Sequence, residues 1–280
     1  MSGVRPTPVA LTAPAGGCDT ARVVRRFEGA RVLVTGGTKG IGAACAERFA
    51  LEGAEVLVTW AHDEDAAAAL RRRLEAIPAR VQAFRMDLGD GDAIEGLWKR
   101  LEAESLLPDA LVLNAAYQRK ATVDDTDPEL LRRTLEANLV GNYRLAKLYI
   151  ASRRRAGAPG SIVVHGSNQG EFVNPTGFAY AVSKAGLNHL VRHLARACAP
   201  HRIRVNGIVL GWFDTEGERA FYDREAMRRQ AAGSVPLGRM GEPEEAARLT
   251  AFLASDDSSY MTGSLVRCDG GFSLSPDLSS

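Results

Sequence analysis

The chain has 280 residues, 45% of them hydrophobic and 25% charged, with a formal net charge of +1. That length supports a sizeable core in one α/β domain, and the near-neutral balance offers nothing to a nucleic acid or an acidic membrane surface. Cys18, Cys45, Cys198 and Cys268 show neither paired nor metal-type spacing, which fits free thiols in a reducing cytoplasm rather than a disulfide framework.

Residues 1–26 carry Pro, Gly, Thr and Ala without hydrophobic periodicity and read as a flexible N-terminal arm. Pro8, Thr12, Pro14 and Gly16 interrupt any apolar segment of signal-peptide length, and no later run approaches a membrane span. Arg31 to Thr35 is a β-branched strand, followed by a glycine turn over 35–42 and a helical pattern from Ala43 to Glu52. Strand, glycine turn and helix together aim free backbone N–H groups at a pyrophosphate. Gly36 permits the tight turn, Gly40 a close phosphate and Gly42 the packing of helix on strand; the spacing is GxxxGxG.

Glu55 to Trp60 forms the next strand. NAD sites place an acid beyond this strand to bond the ribose 2′-hydroxyl, but Thr59 to His62 supply none, and Asp63 falls where it caps the helix Glu64 to Ala76. Lys39, inside the glycine loop, is placed to meet a 2′-phosphate, so NADP(H) is preferred over NAD(H). Val81 to Met86 is a third strand ending in Asp87 and Leu88. Asp87 serves either the adenine amino group or the cap of the helix Asp92 to Glu104.

Asp109 to Asn114 is a fourth strand, closed by Ala115 and Ala116, small residues that let a cofactor lie against the backbone. A helical pattern from about Pro128 to Arg154 contains Asn138 among Leu135, Leu139 and Val140, where an amide is costly unless satisfied. Ser161 to Ser167 is the fifth strand, Phe178 to Ala199 a helix and Arg202 to Val209 the sixth strand. Residues 211–234 break the rhythm and read as a mobile helical flap over a pocket. Glu242-Pro243-Glu244 opens a helix to Ala254, and Leu265 to Cys268 is the last strand. Alternating strands and helices mean a parallel sheet of about seven strands covered on both faces.

Tyr180-Ala181-Val182-Ser183-Lys184 places a phenol and an ammonium one helical turn apart. A free phenol titrates near about 10, and a neighbouring cation favours the phenolate, the direction a proton-transfer catalyst needs. Ser167, at a strand end facing this helix, is placed to hold a carbonyl or alcohol oxygen. His189 and His193 are four apart on the same helix, but no third ligand accompanies them, so no metal is expected.

TGGTKGIG at 35–42, DL at 87–88, NAA at 114–116, Asn138, Ser167, YAVSK at 180–184, the stretch Asn206 to Thr215 and YMTG…DGG at 260–271 recur in one order. In these pieces the chain resembles the short-chain dehydrogenase/reductase family, single-domain branch, over roughly residues 27–273, with residues 274–280 as a tail. Its pattern is most similar to 3-oxoacyl-(acyl-carrier-protein) reductases and glucose 1-dehydrogenases. The resemblance implies a Rossmann-like doubly wound fold and a catalytic set of Asn138, Ser167, Tyr180 and Lys184. Tyr180 would be the acid or base, Lys184 would bond the nicotinamide ribose and lower the Tyr180 pKa, and Ser167 would hold the substrate oxygen. Asn138 would anchor a water that links Lys184 to bulk solvent. Gly36, Thr38, Lys39, Gly40, Ile41, Gly42, Asp87, Leu88, Asn114, Ala115, Tyr180, Lys184, Gly211, Phe213 and Thr215 would contact the cofactor, Thr215 at the nicotinamide carboxamide.

Three positions depart from the family pattern: Leu113-Asn114-Ala115-Ala116, Leu210-Gly211 and His165, which reads as a buried, hydrogen-bonded core histidine. Tyr117, Gln118, Arg119, Gln169, Glu171, Phe172, Asn174 and Trp212 fall on the substrate side, with Ser167, Gln169, Tyr180 and Trp212 as contacts. So many polar groups favour a small hydroxylated ketone or alcohol, such as a sugar, a cyclitol or a secondary-metabolite intermediate. The alternatives are a 3-oxoacyl-thioester reductase, an NAD-dependent alcohol dehydrogenase and, more remotely, a non-catalytic dinucleotide-binding regulator. By the same resemblance the chain is a homotetramer or dimer, its long helix and Tyr180 helix packing on their mates.

Overall fold

The computed structural model describes residues 24–219 and 223–274. The expected N-terminal arm up to residue 23, Phe221 and Tyr222 of the flap, and the tail from 275 lie outside the described residues. Seven parallel strands form one sheet: β1 (Arg31–Val34), β2 (Glu55–Trp60), β3 (Val81–Arg85), β4 (Ala110–Leu113), β5 (Gly160–Ser167), β6 (Ile203–Leu210) and β7 (Leu265–Cys268). Their order is β3-β2-β1-β4-β5-β6-β7, so the winding reverses between β1 and β4. In such sheets a crevice opens beyond the carboxyl ends of the strands on either side of the reversal, and ligands bind there.

The β-branched and leucine-rich strands are buried on both faces because each face carries a helical layer. Val32, Val34, Val56, Val58 and Val112 face one way, against α1 (Gly40–Leu51), α2 (Glu64–Leu74) and α9 (Pro243–Ala254). Leu33, Leu57, Leu111 and Leu113 face the other, against α3 (Gly91–Ala103), α5 (Asn142–Arg155) and α6 (Phe178–Cys198). Tyr149 is fully buried on α5, with its hydroxyl donating to Asp109 O at 2.5 Å and accepting from Ser161 N at 2.9 Å. The phenol therefore ties the start of β5 to the start of β4 without an orphaned polar atom.

Helix starts follow local chemistry. Asp63 caps α2 by accepting from Ala66 N at 2.8 Å, as expected. The cap of α3 is Asp90, which accepts from Asp92 N and Ala93 N at 2.9 and 3.1 Å. Asp87 does not cap that helix: its Oδ1 accepts from Gly89 N at 2.8 Å, closing the turn after β3. Helix α1 begins at Gly40, three residues before the expected start, because its first-turn amides need no intrahelical partner and tolerate glycine there.

The helical pattern expected from 128 to 154 is one rod in three parts: α4 (Pro128–Leu135), a π-helical turn (Glu136–Gly141) and α5. Inserted π-turns frequently mark functional positions, and this one carries Asn138. The flap contains two helices, α7 (Glu216–Arg219) and α8 (Arg224–Ser234). Asp214 is buried beneath them and is held by Arg219 at 2.7 Å and Arg224 at 2.8 Å.

Candidate active site

A cleft of about 830 Å³ lies at the carboxyl ends of β4, β5 and β6, roofed by the flap. Its floor brings together Asn114, Ser167, Tyr180 and Lys184, and its walls include Ile41, Gln169, Gly211, Trp212, Phe213 and Thr215. Ser167 is the last residue of β5, Tyr180 sits in the first turn of α6, and Lys184 follows one turn later. The Ser167 and Tyr180 hydroxyls are hydrogen-bonded, with the serine favouring the phenolate. Lys184 Nζ lies 5.5 Å from the Tyr180 ring centroid and donates to His165 O at 2.7 Å.

Burial sets the protonation of this group more strongly than proximity does. The Tyr180 phenol is pushed up to about 12 by burial; the bond from Ser167 opposes that rise and the nearby Glu218 carboxylate adds to it. Lys184 is buried and pulled down to about 8 for the same reason. The depressed phenol expected from a cation one turn away is therefore not what this arrangement gives. The ammonium is aimed at a main-chain carbonyl, and desolvation outweighs its field.

Asn138 is fully buried, and the physical reason for its amide is now visible. Its Oδ1 accepts from Tyr117 N at 2.6 Å, and its Nδ2 donates to Tyr117 O at 2.8 Å and Ser183 Oγ at 3.0 Å. The side chain thus clamps the loop after β4 to α6. Its side-chain amide is committed to that clamp.

Asn114 joins the two halves of the site. Its Nδ2 donates to Thr35 O at 2.8 Å and Gly36 O at 3.1 Å, while its Oδ1 faces His165 Nδ1 at 3.0 Å. His165 is the buried histidine expected; its Nε2 lies 2.9 Å from Thr250 Oγ1, and burial lowers it to about 3, so the ring is neutral. The Nδ1–H tautomer donates to Asn114 Oδ1, whose amide nitrogen is turned to the glycine loop. Sequence reasoning gave this residue no catalytic contact, yet its carbonyl positions Lys184.

The glycine loop fits a diphosphate. Gly40 has φ +50°, open to glycine, and a Cβ on Gly42 would stand 2.1 Å from Gly36 O. The Gly40 amide already donates to a carboxylate, Glu216 Oε2 on α7, at 3.0 Å, so this helix start accepts an anion. Thr38 is half-buried in the same loop. Lys39 pairs with Asp63 at the edge of the loop, and His62 Nε2 stands 3.5 Å from Asp87 Oδ2. Lys39, Asp87 and the buried Leu88 belong to this outer region and not to the cleft floor; Ala115 lies between, its amide donating to Thr35 Oγ1 at 3.0 Å.

Of the residues expected on the substrate side, Gln118, Gln169, Phe172, Asn174 and Trp212 line the cleft. Tyr117, Arg119 and Glu171 do not: Tyr117 lies under the Arg133 guanidinium at 4.6 Å, and Glu171 pairs with Arg267 at 2.6 Å. Residues that line the cleft and were not singled out include Lys120, Asn168, Glu218, Gln230 and Phe272. Glu218 sits on a four-residue helix inside an irregular stretch, where neither periodicity nor motif marks it.

Comparison with known proteins extends these findings. A family profile described as enoyl-(acyl carrier protein) reductase matches residues 36–273. The chain is 34% identical to the 3-oxoacyl-[acyl-carrier-protein] reductase FabG of Thermotoga maritima, over 88% of this chain and 98% of that protein. It is also 34% identical to a glucose 1-dehydrogenase of Gluconobacter oxydans, over 90% of this chain and 95% of that protein. The crystal structure of a short-chain type dehydrogenase/reductase from Mycobacterium marinum superposes with a TM-score of 0.84 at 30% identity, covering 92% of this chain and all of that one.

Proposed function

The chain belongs to the short-chain dehydrogenase/reductase family and is an NAD(P)-dependent oxidoreductase acting on CH–OH/C=O, and from that premise we propose that it interconverts a small, polyhydroxylated ketone and its secondary alcohol with NADP(H). When bound, the cofactor supplies or accepts the hydride. The loop of Gly36, Thr38, Gly40, Ile41 and Gly42 would hold its diphosphate, Asp87 and Leu88 its adenine, Asn114 and Ala115 its ribose side, and Gly211, Phe213 and Thr215 its carboxamide end.

In reduction, the carbonyl carbon gains the hydride and the carbonyl oxygen gains the Tyr180 hydroxyl proton. Ser167 holds that oxygen against the phenol, and the Lys184 ammonium stabilises the phenolate left behind. In oxidation the same atoms run in reverse. A single observation carries this reading: Ser167, Tyr180 and Lys184 converge on the floor of one cleft beside Asn114 and the glycine loop.

The NADP preference rests on Lys39, a cation at the outer edge of the loop with no acid at the end of β2 to claim a ribose hydroxyl. Asp63, its partner, is the competing feature: a carboxylate there favours a 2′-hydroxyl. Equilibrium titration settles the balance, with NADPH expected to bind at least tenfold more tightly than NADH; tighter NADH binding contradicts the Lys39 reading. The polar substrate rests on Gln118, Gln169, Asn174 and Glu218 in the cleft wall, a lining that suits hydroxyls better than an acyl chain. The relative named a glucose 1-dehydrogenase is in keeping with this, whereas the relative named a 3-oxoacyl reductase represents the competing substrate class. NADPH oxidation with a panel of ketosugars, cyclitol ketones and a 3-oxoacyl thioester separates them; turnover of the thioester alone contradicts the polar reading. A homotetramer in the cytoplasm completes the proposal.

A further inference from the structure

We propose that His165 is a positioning residue for the cofactor: its imidazole holds the Asn114 amide in the one orientation that fastens the glycine loop. This rests on the reading above that Asn114 and the loop carry the dinucleotide, and adds a residue to it. The Asn114 side chain is packed against two glycines, where a Cβ on Gly36 would stand 3.3 Å from its Nδ2 and one on Gly42 2.6 Å from it. That nitrogen donates to Thr35 O and Gly36 O at 2.8 and 3.1 Å, the carbonyls at the start of the loop. A primary amide is nearly symmetric in shape, so packing alone does not choose which end faces the loop; hydrogen bonding does. The oxygen is turned to the other side, and His165 Nδ1 lies 3.0 Å from it.

The ring is held where it can do this. His165 is buried near the end of β5, and the far edge of its imidazole meets Thr250 Oγ1 on α9 at 2.9 Å. An aliphatic side chain at 165 would fill the space but supply no donor, leaving Asn114 Oδ1 short of its partner. The amide is then freer to turn into the cleft that Asn114 lines, and the loop carbonyls lose their donor. The same residue reaches the other half of the site through its main chain, since its carbonyl accepts from Lys184 Nζ at 2.7 Å. The ring thus serves the cofactor loop and the backbone serves the ammonium. Changing the ring leaves the carbonyl in place, so the effect belongs to cofactor binding.

The test uses the full chain and NADPH. His165→Asn keeps an N–H donor close to the place of Nδ1 and has no atom in the place of Nε2, whereas His165→Leu offers no donor at all. Both lose the Thr250 contact, so both are expected to unfold at lower urea than the wild type. Their affinities are expected to part: by fluorescence titration His165→Leu binds NADPH about tenfold more weakly, and His165→Asn stays within about threefold of the wild type. Wild-type affinity in His165→Leu, or equal weakening in both variants, overturns this inference and leaves the cofactor reading standing. A wild type that binds no NADPH overturns both. A second check needs no variant: nitrogen NMR of isotopically labelled histidine, in which His165, the one buried histidine among the five, is expected to carry its proton on Nδ1. A neutral ring with its proton on Nε2 has nothing to donate to Asn114 and overturns the inference.

Discussion

At the residue scale, the site turns on how two side chains one helical turn apart share a low-dielectric floor. Lys184 is lowered to about 8 by burial, so its ammonium is present below that pH and is lost as pH rises through it. Reduction draws on the charged form to steady the phenolate. The rate constant for ketone reduction is therefore expected to fall above about pH 8, and Lys184→Arg, which keeps its charge at any accessible pH, is expected to lose that alkaline limb even if it is slower overall. A pH profile of kcat/KM for both proteins checks this; an unchanged limb in the arginine variant contradicts it. Tyr180, Ser167 and Lys184 were legible in the sequence because their chemistry is written in spacing: four residues on one helix, and a serine at a strand end. The protonation balance was not, since burial is a property of the assembled cleft. Glu218 was invisible for a related reason, being brought to the cleft by the flap and not by any local pattern.

At the element scale, the π-turn at Glu136–Gly141 explains a residue that looked costly. Asn138 fastens both backbone groups of Tyr117 and the Ser183 hydroxyl, so Asn138→Ala leaves two part-buried groups and one buried hydroxyl short of a partner. A loss of about 2–3 kcal/mol in urea unfolding is expected, together with weaker substrate binding as the loop after β4 loosens. Helix α7 supplies a second case. Its Glu216 carboxylate occupies the Gly40 amide, one of the amides a cofactor phosphate would claim. Glu216→Gln removes a negative charge from that anion site, so NADPH is expected to bind several-fold more tightly by fluorescence titration; unchanged or weaker binding contradicts the competition.

The element boundaries show what a sequence can and cannot carry. β2 and β7 fall where the β-branched runs put them, and α9 starts at Pro243, because those signals are local. The π-turn depends on Asn138 meeting the loop at Tyr117, a contact 21 residues away in the chain, and no helical periodicity announces it. Asp90 and not Asp87 caps α3, since the Asp87 carboxylate is taken by the Gly89 amide in the turn after β3 while Asp90 accepts from Asp92 N.

At the scale of the whole molecule, the reversal of strand order between β1 and β4 brings the cofactor loop and the proton-transfer group to one crevice from residues more than a hundred positions apart. The doubly wound class was legible because alternating strands and helices admit few other topologies. Assembly is less directly written. Tyr143 on α5 and Val182 on α6 are 43% exposed, and Tyr260, ahead of β7, is fully exposed; these lie on the helices and the edge through which the tetramer is proposed to pack. Light scattering on the purified chain is expected to give four times its mass of 30.0 kDa; a monomer contradicts the assembly without touching the chemistry.

The chemistry itself is tested most directly by comparing NADPH-dependent ketone reduction in the wild type and in Tyr180→Phe, with NADPH affinity measured on both. Removing the one proton donor at the carbonyl oxygen is expected to slow reduction by roughly 10³-fold while NADPH binds within about twofold of the wild type. Reduction at the wild-type rate in Tyr180→Phe, or a wild-type protein that binds no nicotinamide dinucleotide, would contradict it.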